Sequence, residues 1–160
     1  MAVRSLRIVV LVIVAFAAGL LLARLIAPSR VEPPQTERAT VFPAARPVPA
    51  LDLVDQDGKP LGPDFFEGHW TLVFFGFTQC PDICPTTLAT LAQVVRQLGD
   101  LPAGEQPRVL LVSLDPERDT PDILAPYVRF FDPSFLGARG SLEATAAAAA
   151  AFNLPYANVP

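Results

Sequence analysis

Residues 71–77 read TLVFFGF; after a short loop come TTLATLAQVVRQLG at 86–99 and RVLLVSL at 108–114. A continuous run of apolar, aromatic and β-branched residues is the pattern of a strand with both faces covered. In the middle segment Leu88, Leu91, Val94, Val95 and Leu98 recur at spacings of three and four, with Gly99 at the stop position, which predicts an amphipathic helix. Two such strands joined through one helix constrain the fold most, because this connection pairs strands in parallel with a right-handed crossover. TLVFFGF is expected to be the central strand.

The remaining segments extend the same plan. ALDLVDQDGKPL (50–61) alternates apolar residues around a DG turn and predicts a hairpin. In DPERDTPDILAPYVRFF (115–131), Thr120 suits a helix N-cap and Pro121 the first helical position, while Pro126 is expected to kink or shorten the helix. FLGARG (135–140) predicts a third strand of the series, and SLEATAAAAAAFN (141–153) a close-packed helix capped by Ser141. The class is therefore α/β. No strand follows the last helix to cover the remaining edge, so either the sheet is small or the chain is truncated.

A chain of 160 residues allows one such domain with an extension. Residues 8–23, IVVLVIVAFAAGLLLA, hold no charge and no proline, and Leu25, Ile26 and Ala27 lengthen the run toward the roughly 30 Å of a hydrocarbon core. Arg4 and Arg7 precede it and no acidic residue occurs before Glu32. The positive-inside rule then expects residues 1–27 to form a cytoplasmic N-terminus and a single-pass anchor in the inner membrane, with the domain facing the periplasm or outer side. A cleaved signal peptide is the rival, although Leu25 occupies the place where a small residue belongs if cleavage follows Ala27. Residues 28–49 are proline-rich and read as an extended tether, leaving 50–160 as the domain. Four of the twelve basic residues and none of the sixteen acidic ones lie before position 31, so the remainder is strongly acidic, which argues against nucleic acid as a partner.

The loop after TLVFFGF carries the chain's two cysteines, Cys80 and Cys84, in CPDICP. It lies beyond the carboxyl end of a strand and at the start of a helix, where open α/β sheets bind ligands and where unpaired amides stabilise a thiolate. Pro81 and Pro85 stiffen it, Pro85 suiting the first helical position. Two soft sulfurs suit Cu(I) or Zn(II), with a further ligand from elsewhere. The same pair also suits a redox-active disulfide or a disulfide that merely staples a small loop. Asp115 ends the neighbouring strand on the same edge and is a candidate carboxylate partner of the thiols, although Asp-Pro is also a plain turn signal. Asp82 reads as a solvated loop residue. His69, the single histidine, precedes TLVFFGF at the opposite end, about 20 Å away, and reads as a turn residue. Phe65, Phe66, Trp70, Phe74, Phe75 and Phe77 read as core.

LVFFGFTQCPDICPTTL and LLVSLDPERDTPDIL, supported by DLVDQDGKPL and the N-terminal apolar run, resemble the Sco/SenC family of membrane-anchored copper proteins that assist cytochrome c oxidase assembly. The resemblance covers about residues 50–156. It implies a thioredoxin-like fold, here incomplete at the C-terminus, and copper held by Cys80 and Cys84 together with a distal histidine that no residue of this chain matches. It further implies delivery of copper to the dinuclear copper centre of an oxidase subunit. A thiol-disulfide oxidoreductase that reduces the acceptor's cysteines is the alternative, with Cys80 and Cys84 as its redox pair. Its usual form has two residues between the cysteines, whereas three intervene here. A peroxidase fits less well, and an interaction module or inactive fragment is the remaining alternative.

Overall fold

The computed structural model describes residues 44–156 together with positions 7, 12–19, 22 and 39–42. The chain divides into two units, Met1–Arg46 and Pro47–Pro160. In the first, residues 12–19 are helical and expose Val12, Ile13, Val14 and Phe16. No helix among the described residues is long and apolar enough to cross a membrane, and part of the expected span 8–23 lies outside them, as do residues 28–38 of the expected tether.

The second unit is an α/β domain. Its elements in chain order are β1 (Leu53–Asp55), a single 3₁₀ turn (Pro63–Phe66), β2 (Thr71–Gly76), α1 (Ile83–Gln97), β3 (Arg108–Ser113), α2 (Pro121–Phe131), β4 (Leu136–Gly140) and α3 (Leu142–Ala151). The sheet order is β1-β4-β3-β2. β2 runs parallel to β3 with Thr71 opposite Arg108 and Gly76 opposite Ser113; β3 runs parallel to β4; β1 closes the far edge antiparallel to β4. The sheet is thus mixed, through its first strand alone.

TLVFFGF is a strand, but not the central one. Among the described residues β2 pairs only with β3 and lies at the sheet edge, and its side chains are half-buried, whereas Val109 to Ser113 of β3 are fully buried. An apolar run reports that both faces are covered and says nothing about how many neighbours a strand has. Val73 and Phe75 pack on one face with Leu51, Leu53, Val112 and Ala148. Leu72 and Phe74 pack on the other with Leu88, Leu111, Leu124 and Val128. Trp70 departs further from expectation: it is 77% exposed, because it precedes the strand and lies beyond the reach of either cluster.

The hairpin is present in reduced form. Asp55 Oδ1 accepts from the amides of Asp57 and Lys59, Gly58 adopts φ +80°, and Val54 forms an isolated bridge with Pro60, which has no amide to extend the pairing. Pro126 does not end α2: it occupies an exposed position and the helix runs on to Phe131. Ser141 caps α3 as expected, accepting from the Ala144 amide at 3.0 Å. The alanine run is a packing surface, with Ala144, Ala148 and Ala149 buried; Gly140 allows the approach, since a Cβ there would lie 2.9 Å from that of Ala144.

Candidate metal centre

β2 ends at Gly76, and the chain turns at once, the Cys80 amide donating to the Phe77 carbonyl at 3.3 Å. α1 then begins at Ile83, so Cys84 is its second residue. Pro85 is the third helical residue rather than the first; the proline is tolerated because no amide of the first turn has an acceptor within the helix. Asp82 occupies the N-cap position, but its side chain makes no capping bond. The Cys80 sulfur takes that role, accepting from the Cys84 amide at 3.4 Å.

This placement separates the two thiols chemically. The Cys84 thiol donates to the Cys80 sulfur and, with the amides of Cys84, Asp82 and Ile83, lowers the Cys80 pKa. Cys84 is only 3% exposed, and burial, followed by its bond to Cys80 and the negative charge of Asp119, pushes its pKa up to about 11. Both thiols are free. Cys84 can lie against the sheet because Gly76 has no side chain: a Cβ there would stand 3.0 Å from the Cys84 sulfur. Ile83, between the cysteines, is 67% exposed.

Asp115 accepts from the exposed Arg118 at 2.5 Å, and its carbonyl accepts from the Asp119 amide at 2.9 Å. The carboxylate that reaches the cysteine segment is Asp119. It is fully buried and accepts from the Thr78 amide at 3.2 Å, the Thr78 hydroxyl at 2.5 Å and the Ser113 hydroxyl at 2.6 Å. Tyr127 of α2 lies within the electrostatic reach of Asp119 and both cysteines; its buried hydroxyl has no partner among the described residues. Sequence reasoning named neither Asp119 nor Tyr127, although the DPERDTP turn that carries Asp119 was in view.

His69 sits beside Gly68, Trp70 and Glu105 at the amino end of β2, away from the cysteines as expected. Among the described residues no group of three or more His, Cys, Asp or Glu side chains is arranged to hold a metal ion. The donors present are two adjacent sulfurs, one accessible and one buried, a pair suited to a soft ion that needs further ligation.

The fold and this loop have counterparts. The "Protein SCO2 homolog, mitochondrial" of Bos taurus is 42% identical over 110 residues, covering 69% of this chain and 41% of the relative. The crystal structure of Arabidopsis thaliana ScoI with copper bound superposes with a TM-score of 0.64 at 34% identity, covering 70% of this chain and 69% of that one. BsSco, described as a member of the Sco family of cytochrome c oxidase assembly proteins and studied for a disulfide switch, gives a TM-score of 0.58 at 24% identity, over 69% of this chain and 67% of that one, and supports the thioredoxin-like fold alone. The chain spans about half the length of the curated relatives it matches. The SCO1/SenC family model matches residues 43–160, which hold both cysteines, the strand that presents them and the turn that carries Asp119; the chain belongs to the SCO1/SenC family.

Proposed function

We propose that this chain is a copper carrier in cytochrome c oxidase assembly, binding the ion through Cys80 and Cys84 and releasing it to the dinuclear copper centre of an oxidase subunit. The observation that carries this reading is the sulfur pair itself: Cys80 accepts a hydrogen bond at the N-terminus of α1 beside the thiol of Cys84. Copper is cargo in this reading, and two soft donors, Cys80 accessible and Cys84 buried behind it, suit an ion that must be handed on by ligand exchange. The third ligand that the family uses, a histidine, has no match here. Exposed Ile83 offers an apolar contact for the acceptor at the point of transfer.

The apolar run 8–23 supports an anchor in the inner membrane, with the domain in the periplasm at the end of the tether. Retention of the full chain in carbonate-washed membranes, and its loss on deletion of residues 1–27, tests that placement.

A second reading, reduction of the acceptor's disulfide, is favoured by the opposite pKa shifts of the two thiols. The Cys80 thiolate would attack one acceptor sulfur and release the other as a thiolate. Cys84, on losing its proton, would then attack Cys80 and free the second acceptor sulfur, moving two electrons to the acceptor. Titration with Cu(I) against a competing chelator, beside turnover with a disulfide substrate, separates the readings. One Cu(I) per chain, lost in Cys80→Ala, with no turnover supports the carrier; turnover without Cu(I) retention supports the reductase.

A further inference from the structure

Asp119 combines two properties that a structural carboxylate seldom needs together: complete burial and, among the described residues, a set of partners that contains no cation. An ionised carboxylate removed from water is strongly disfavoured unless donors surround it. Here the donors are the Thr78 amide, the Thr78 hydroxyl and the Ser113 hydroxyl, all neutral. Thr78 stands two residues before Cys80, and Ser113 is the last residue of β3. Among the described residues, the bonds from Thr78 to Asp119 are the only side-chain bonds that tie the Phe77–Cys84 segment to a distant part of the chain; the other one that enters it, from the Thr87 hydroxyl to the Ile83 carbonyl, lies within α1.

We propose that Asp119 is the positioning residue of the sulfur pair: by binding Thr78 and Ser113 together it fixes the cysteine segment to the end of β3, and its negative charge, met only by neutral donors among the described residues, favours a cation at the sulfurs. The first half stands on geometry alone; the second rests on the carrier reading above. Charge-assisted bonds of about 2.5 Å are the strong, directional kind, so losing them relaxes the loop before it unfolds the domain. Relaxation lowers the effective concentration of one thiol at the other.

The test compares Asp119→Asn, Thr78→Val and Thr78→Ser in the full chain. The metal-free readout is the equilibrium in which the Cys80–Cys84 disulfide and two glutathione molecules give the dithiol and glutathione disulfide. Asp119→Asn and Thr78→Val are expected to shift it about tenfold toward the dithiol, and Thr78→Ser, which keeps the hydroxyl, to return it toward wild type. Against a competing chelator, Asp119→Asn is expected to lose at least tenfold in Cu(I) affinity. Lower thermal stability with an unchanged glutathione equilibrium and unchanged Cu(I) affinity would overturn the proposal. A wild-type chain that fails to bind Cu(I) would remove the carrier reading and the charge argument, while the glutathione equilibrium would still decide the positioning role. If Asp119→Asn does not fold, the two Thr78 variants decide it.

Discussion

The two cysteines share a loop but not an environment, and the difference should be measurable. Cys80 has its pKa lowered by bonds from the Cys84 thiol and nearby amides, while burial raises that of Cys84 to about 11. Alkylation followed by mass spectrometry across pH 6 to 11 should therefore modify Cys80 first. The folded pKa of Cys84 exceeds its ordinary value of 9.0, so its contribution to stability is complete below about pH 9 and is lost as pH rises toward about 11. Cys80 has the opposite sign, its contribution being lost as pH falls through its lowered value. Tyr127 offers a second test at this scale. Its hydroxyl is buried without a partner, so Tyr127→Phe should leave the unfolding free energy unchanged or raise it by about 1 kcal/mol in urea titrations. The cysteines were legible in the sequence because thiols are few and their flanking prolines mark the loop. Asp119 was not, because Asp115 and Asp119 occupy one polar turn. Only the path of that turn, in which the Asp115 carbonyl accepts the Asp119 amide, decides which carboxylate faces inward.

At the scale of elements, the hydrophobic pattern marked β2 and β3 as continuous apolar runs and α1 by its three-and-four spacing, with the cap residues Thr120, Pro121 and Ser141 marking α2 and α3. It misjudged position within the sheet. Hydrophobicity measures coverage by helices above and below, and both β2 and β3 have that, but the hydrogen-bonded neighbours at the sides leave no trace in side-chain type. Small residues hold more information than they first offered. Gly140 lies against the Asp52 carbonyl, and an added Cβ would come within 2.7 Å of that oxygen, a backbone atom that cannot rotate aside. Gly140→Ala should therefore cost about 1–3 kcal/mol in thermal or chemical unfolding. The alanines of α3 face the same junction, so the low-complexity look of SLEATAAAAAAFN conceals a steric requirement.

For the whole domain, the order β1-β4-β3-β2 gives the strands unequal support. β3 has a parallel partner on each side and helices over both faces; β2, which carries the cysteine loop at its end, is laced to one neighbour only among the described residues. Native-state hydrogen exchange should find the slowest amides in Val109–Val112 and measurably faster ones in Leu72–Phe75. The sulfurs consequently hang from the selvedge of the fabric rather than its weave. A partner that stitched a further strand alongside Thr71–Gly76 would stiffen the thiol loop from a distance, without touching either sulfur.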